Sequence, residues 1–546
     1  GAELASDAMS SQRRNVLSAR RNLVQLVGLI GGPMIALLVF ILLPHQYSGV
    51  DGEVAPLTTG ARATLAVMAW MATWWLTEAI DIAATALLPI AVFPVLGILP
   101  IGQAAAPYAS DLIFLFMGGF ILALSMQRWG LDRRIALFTL RRVGSKPPAI
   151  IAGFMLVTAV LSMWVSNTAT AAMMLPIALS VIDLVLKNKP GETLAESGLP
   201  DKGDPGRNFA LSLMLSIAYA ASIGGIATII GSPPNGILVE FVALEYDRDI
   251  GFAQWMLIGG PIALVFLPLA WALITWVLYP IKVKRIEGGD ELFEQEFAKL
   301  GPMKAGEWIT MIVFGCTALL WITRPLLEQV ALGDGADAWR PFAGLSDAGI
   351  AILAAMALFV IPAQVSTADG QAKDRLATSP SAPALTFTMN WKTAAALPWG
   401  ILVLFGGGLS LAAAVKSNEV AEFLGVQAGA LRDFPPVVLV LAVTAGVIFL
   451  TELTSNTATT ATLVPVLGGL ALGVGVAPEM LIIPATIAAS CAFMLPVATP
   501  PNAIVFGSGY ITIPQMARAG FWLNIIGVML ITTMLYAIIL PVLESM

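Results

Sequence analysis

The chain has 546 residues, 58% of them hydrophobic and only 12% charged, with a mean hydropathy of +0.84; soluble domains carry about 25% charged residues, so a soluble globular protein is excluded and an all-α polytopic membrane protein is expected. The net charge of −6 decides little, because in a membrane protein the placement of Lys and Arg matters more than their sum. One histidine and two cysteines leave no set of residues for a histidine-based catalytic dyad or a metal cluster, and Cys316 and Cys491, in separate apolar runs, are expected as buried thiols.

The first apolar run is longer than the roughly 7 to 15 residues of a leader's hydrophobic region and lacks a small-residue cleavage site, so no cleavable leader is expected. Windows of about 20 apolar residues predict spans near 22–44, 60–79, 82–99, 111–127, 209–231, 253–279, 307–323, 347–363, 397–415, 477–497 and 519–544, about eleven crossings, besides two longer runs. Arg13, Arg14, Arg20 and Arg21 precede the first span, Arg128, Arg133, Arg134, Arg141, Arg142 and Lys146 follow the fourth, and Lys282, Lys284, Arg285, Lys299 and Lys304 lie between the sixth and seventh. A cytoplasmic N-terminus puts all three clusters on the inner side, with Lys373, Arg375, Lys392 and Arg518. His45 then falls at the outer end of the first span, expected exposed, and Trp74, Trp75, Trp321 and Trp399 fall near span ends as belt residues. The segments "LDRRIALFTLRRVG" and "SNEVAEFLGVQAGALRDF" alternate apolar and charged positions at helical spacing, which fits arms lying on opposite membrane surfaces or ordinary surface helices.

The two longer runs contain one motif twice. "VSNTATAAMMLP" ends at Pro176 and "TSNTATTATLVP" at Pro465, an offset of 289 that is shared by the triplets at Ser166 and Ser455 and by "LFMGG" and "LFGGG" at Leu115 and Leu404. "GSPPN" from Gly231 and "ATPPN" from Ala498 are offset by 267, because the first copy carries the extra polar loop "KNKPGETLAESGLPDKGDPGRN". A duplicated block is implied. The fourth and ninth spans, its first elements, run in opposite directions across the membrane, so the copies are inverted, an architecture of many secondary transporters with the site at mid-membrane.

Each triplet sits near the middle of a run of about 40 residues, twice the length of one crossing. A re-entrant helical hairpin with Ser-Asn-Thr at its tip explains this; two full spans joined by a surface turn are the alternative. Irregular backbone at membrane depth is tolerated only where it is buried in protein or lines a cavity. The Pro-Pro pairs break the neighbouring spans in the same way. Unwound carbonyls suit a hard cation and helix N-termini suit an anion, and the oxygens and amides of Ser, Asn and Thr serve either. No Lys or Arg occurs at these positions, so an anion here is held by neutral donors, helix ends and co-bound cations.

With its paired "SNTAT" motifs and "PPN" partners, the sequence from about Gly60 onward resembles the divalent anion/sodium symporter family of dicarboxylate and citrate carriers. The resemblance implies a homodimer in the bacterial inner membrane, each protomer with a scaffold domain and a transport domain that moves as an elevator, and co-transported sodium without an organic cofactor. It implies a first sodium site at Ser162, Ser166, Asn167 and the backbone of Gly231, and a second at Thr451, Thr454, Asn456 and the backbone of Ala498. It places substrate against Asn167, Thr168 and Ser232 on one side and Ser455, Asn456, Thr457, Thr499 and Pro500 on the other. The domain division it implies is a tail at 1–21, scaffold helices at 22–110, first-repeat transport elements at 111–252, scaffold helices and loops at 253–396, second-repeat transport elements at 397–518 and a last helix at 519–546. Ser162 and Thr451 point to sodium coupling, and Ser232, where some citrate-preferring relatives carry glycine, to a C4 dicarboxylate such as succinate, malate or fumarate. The alternatives are a sodium-independent exchanger and a carrier of citrate or another divalent anion.

Glu452, the one acid of the second hairpin, is read as either a proton-coupling or a structural group, and Glu78 and Asp81 as scaffold contacts or interfacial groups. An intramembrane enzyme lacks a catalytic constellation in the apolar core, and a passive channel lacks a continuous polar stripe.

Overall fold

The computed structural model describes residues 23–48, 53–186, 205–283, 285–286, 288–332, 339–366 and 384–545. The tail at 1–21, most of the extra polar loop, Lys284, Lys373 and Arg375 lie outside the described residues. Among those described, nine helices are long and apolar enough to cross a membrane, and two short antiparallel ribbons, β1 (Gln46–Ser48) with β2 (Val54–Pro56) and β3 (Pro362–Ser366) with β4 (Ala384–Phe387), close loops. The chain is an all-α multi-pass membrane protein.

Most expected spans appear within a few residues of their expected ends. The first spans are α1 (Leu23–Leu42) and α2 (Thr59–Thr77). Thr58 caps α2 by accepting the Ala61 N–H, and the helix stops at Glu78, in the left-handed conformation at φ 46°. The third is a correction: 82–99 is not one helix but the short α3 (Ile82–Thr85) and α4 (Leu88–Val92). Pro89, Pro94 and Pro100 each remove a backbone donor along this stretch, and hydropathy windows do not register that loss. Asp81 serves locally, its carboxylate accepting the Ala83 N–H at the start of α3.

By packing, the chain forms two compact units. The first comprises 1–110, 237–248 and 399–489. It holds α15 (Trp399–Ser417), the arm α16 (Val420–Gln427), the hairpin α17 (Pro436–Thr451) and α18 (Asn456–Val474), and α19 (Glu479–Ala489). The arm lies directly on α18: a Cβ on Gly473 would run into the Gly425 carbonyl, so the two backbones touch only because both residues are glycine.

The second unit comprises 111–236, 249–398 and 490–546. In chain order it contains α5 (Asp111–Trp129), the arm α6 (Leu131–Leu140), the hairpin α7 (Pro147–Ser162) and α8 (Asn167–Leu186), and α9 (Pro205–Gly225). α10 (Pro233–Tyr246) begins in this unit and ends in the first. There follow α11 (Phe252–Ala272), α12 (Gly289–Lys299), α13 (Ala305–Leu327) and α14 (Asp347–Val360), and then α20 (Pro500–Gly507) and α21 (Ile513–Met534). α9 is the core of this unit, with 94% of its apolar window buried. Ion pairs tie the arm α6 to α12 and α13: Arg133 to Glu296 at 3.0 Å, and the buried Arg134 to Glu307 at 2.6 Å.

Three single-residue expectations need correction or refinement. Cys316 is exposed on the outward face of α13, a peripheral helix, while Cys491 is buried as expected. Trp75 and Trp321 are fully buried rather than belt residues, Trp75 donating from Nε1 to the Ile82 carbonyl and Trp321 to that of Asp347. His45 is exposed as expected, and its Nδ1 lies 3.0 Å from Nη1 of Arg62.

Candidate substrate and ion site

The two triplets form matching hairpin tips. α7 and α17 both begin at a proline pair and both span 16 residues. After a turn, Ser166 and Ser455 start the second helix of each hairpin, their hydroxyls accepting the N–H of Ala169 at 3.3 Å and of Ala458 at 3.5 Å. Serine at this position satisfies a donor that the helix start leaves unpaired. The remaining first-turn N–H groups of α8 and α18 carry partial positive charge at the tip, a site for a carboxylate that needs no Lys or Arg. Asn167 and Asn456 are half-buried, as is Thr457, and Thr168 is exposed.

Below each tip the asparagine folds back onto a buried hydroxyl. Ser162 Oγ lies 2.5 Å from Asn167 Oδ1 and 2.8 Å from the Ala221 carbonyl on α9. Thr451 Oγ1 lies 2.7 Å from Asn456 Oδ1 and 3.0 Å from the Ala489 carbonyl on α19. A hydroxyl has one hydrogen, so it donates to one of these oxygens and faces the other with a lone pair. Three oxygens therefore converge twice, around hydroxyls with no exposed surface. A small hard cation is the ligand such a set suits.

In the second unit the broken span closes on the same point. α9 ends at Gly225 and α10 starts at Pro233. A Cβ on Gly225 would sit 2.8 Å from Asn167 Oδ1 and 2.9 Å from the Gly231 carbonyl, so both oxygens border one small space. Thr228 spans the turn: its hydroxyl donates to the Met163 carbonyl at 2.5 Å and accepts the Gly231 N–H at 3.0 Å. Ser232 is buried, its hydroxyl 3.1 Å from that of Ser490. α20 packs on α8 and α9, and Thr499 caps it by accepting the Asn502 N–H at 3.3 Å. Ala498 and Thr499 are buried and Pro500 is exposed.

Ser162, Ser166, Asn167, Thr168, Gly231, Ser232, Ala498, Thr499 and Pro500 thus belong to the second unit, and Thr451, Thr454, Ser455, Asn456 and Thr457 to the first. The Thr454 side chain is engaged within its own hairpin, donating to the Leu450 carbonyl at 3.0 Å and lying 2.7 Å from the Thr459 hydroxyl. Glu452 is buried at the end of α17. Sequence reasoning missed Thr228 and Ser490. At the offset of 267 their counterparts are Leu495 and Ile223, so a search for features present in both repeats passes over them.

Comparison with known proteins decides the family. Residues 29–543 match the family described as the sodium:sulfate symporter transmembrane region. The chain belongs to this family. It is 40% identical over 522 residues to the sodium-dependent dicarboxylate transporter SdcS of Staphylococcus saprophyticus, covering 96% of this chain and 93% of the relative. It is likewise 40% identical over 514 residues to SdcS of Staphylococcus aureus strain MRSA252, covering 94% of this chain and 91% of the relative. Among solved structures, the YdaH transporter of Alcanivorax borkumensis is similar in fold, with a TM-score of 0.54 at 14% identity over 94% of this chain and 97% of that one. The Neisseria gonorrhoeae protein MtrF, from a class of antimetabolite efflux pumps, gives 0.55 at 11% identity over 94% of each chain. The protein is a membrane transporter rather than an enzyme.

Proposed function

We propose that the protein imports C4 dicarboxylates such as succinate, malate or fumarate across the bacterial inner membrane, coupled to sodium, with its N-terminus cytoplasmic. The observation that carries this reading is the duplicated convergence of a buried hydroxyl, an asparagine oxygen and a backbone carbonyl directly beneath a helix N-terminus. Sodium bound among these oxygens adds positive charge to the helix end above it, and the Ser, Asn and Thr donors of a tip then take a carboxylate. Neutral donors alone hold a dianion weakly, so substrate affinity depends on bound sodium. The SdcS relatives support both the ion and the substrate class.

In this reading the chain works as a homodimer by alternating access. The elements of 111–252 and 397–518 move as an elevator against those of 22–110, 253–396 and 519–546, with α6 and α16 as connecting arms. The test is radiolabelled succinate uptake into proteoliposomes under an inward sodium gradient, with choline and potassium replacements. Uptake confined to sodium supports the proposal. Equal uptake without sodium that requires internal dicarboxylate identifies an exchanger, and sodium-driven uptake of labelled citrate with none of labelled succinate moves the substrate to the tricarboxylates.

A further inference from the structure

We infer that Asn235 and Asn502, the asparagines of the two Pro-Pro-Asn motifs, are positioning residues for ion binding: each amide holds its unwound backbone in the shape that offers carbonyls to the cation. The inference rests on the sodium-coupled reading above.

Where a helix breaks inside a membrane protein, its last carbonyls lose their partners and the freed backbone needs another source of order. Asn235 Nδ2 donates to the Gly225 carbonyl at 2.9 Å and to the Thr228 carbonyl at 2.8 Å, with the Ile226 carbonyl more distant at 3.4 Å. Asn502 Nδ2 donates to the Ala492 carbonyl at 3.0 Å and to the Leu495 carbonyl at 3.0 Å. The donor and both principal acceptors recur at the one offset of 267. An amide nitrogen has two hydrogens, and here each finds one carbonyl. The opposite rotamer would set the amide oxygen against those same carbonyls, so the orientation is fixed.

What these carbonyls hold in place is the expected backbone ligand. Thr228 O also accepts the Gly231 N–H at 3.3 Å, and Leu495 O accepts the Ala498 N–H at 3.2 Å. Each asparagine therefore braces the tight turn that ends at Gly231 or Ala498. In the first repeat the other clamped residue, Gly225, is the one against which Asn167 Oδ1 and the Gly231 carbonyl both lie. Both asparagine side chains have no exposed surface, and the Oδ1 of each is buried without a hydrogen-bond partner among the described residues. A buried acceptor left unsatisfied costs stability. That cost is offset by the two otherwise unpaired carbonyls that each amide satisfies, and the same two donors keep the carbonyl cage rigid.

The experiment uses the full chain in proteoliposomes with Asn235→Ala, Asn502→Ala and the milder Asn235→Ser and Asn502→Ser, each purified as a monodisperse species; if an alanine variant does not fold, its serine counterpart carries the test. Sodium and lithium half-saturation are measured, with succinate KM at saturating sodium. A loosened cage raises sodium half-saturation about tenfold, the loss of roughly one hydrogen bond's worth of preorganisation, and narrows the preference for sodium over lithium, while KM at saturating sodium stays within about twofold. Wild-type sodium half-saturation and ion preference, with only maximal rate or thermal stability reduced, would overturn the inference. Ser162→Ala run in parallel separates the two levels. If it weakens sodium while the asparagine variants do not, the positioning role alone fails; if it too leaves sodium untouched, the sodium site itself is wrong and the inference falls with it.

Discussion

The two hairpin tips share one arrangement of oxygens and lean on different surroundings. Ser162 and Thr451, Asn167 and Asn456, and the helix-starting serines superpose in role and in sequence offset. Around them the repeats diverge. Trp164, two residues before the first triplet, stacks on Trp321 with an interplanar angle of 3° and on Phe252 at 19°, which ties that tip to α11 and α13. Its counterpart Leu453 is 73% exposed. Thr228, which bridges the first tip to its broken span, is replaced by Leu495, and Met163 by the buried acid Glu452. The arrangement of hydroxyl, amide and carbonyl oxygens is duplicated, while each tip's attachment is particular to its repeat.

The comparison can be broken most severely at the shared residues. Asn167→Ala and Asn456→Ala should each lower uptake by at least about a hundredfold without loss of folded protein, because each removes an oxygen from an ion site and a donor from the substrate face. Near-normal uptake by both, measured alongside size-exclusion profiles, would show that the tips are not the site.

Next in size is the test of attachment. Trp164→Leu installs the residue of the other repeat and should cost about 2 kcal/mol of stability through lost stacking and a partial cavity. Leu453→Ala should cost less than about 0.5 kcal/mol, as expected for an exposed position. Thermal melts in detergent check the pair, and equal shifts would erase the asymmetry. Thr228→Val keeps shape but removes the bridging hydroxyl, and should raise sodium half-saturation about threefold to tenfold. The reciprocal Leu495→Ala should act on stability and leave sodium affinity closer to wild type.

The smallest effect belongs to the ion pairs between α12 and the arm α6. The hydrogen bond from Lys299, with added attraction from Lys299 and Arg133 that outweighs partial burial, holds the Glu296 carboxyl below the usual glutamate range. A depressed folded-state pKa gives stability that is present above the ordinary glutamate pKa of about 4.3 and is lost as the pH falls through the folded value. Glu296→Gln should therefore lower stability by no more than about 0.5 kcal/mol near neutral pH, because its partners Arg133 and Lys299 are exposed to solvent. The difference should vanish in acid, and an effect that persists there would point to packing instead.

The sequence made the candidate site legible through its repetition. Offsets of 289 and 267 picked out the triplets and the Pro-Pro-Asn motifs, and helix-breaking prolines announced the interruptions at 231–235 and 498–502. Hydropathy found most spans but merged α3 and α4 into one, since a window sums side chains and ignores missing backbone donors. It also took Cys316 for buried, because an apolar helix that faces lipid reads the same as one that faces protein.

Length, hydropathy, basic-residue placement and internal duplication thus determined a polytopic, inverted-repeat carrier and the residue types at its tips, all of which are properties of local composition and spacing. The tertiary structure alone decided that Ser162 meets a carbonyl on α9 and Thr451 one on α19, that Trp164 stacks while Leu453 is exposed, and that Asn235 and Asn502 reach back ten residues to clamp broken backbone. Such contacts depend on how helices turn their faces once packed, and the same apolar pattern permits many facings. Only the three-dimensional pairing of donors with carbonyls selects one.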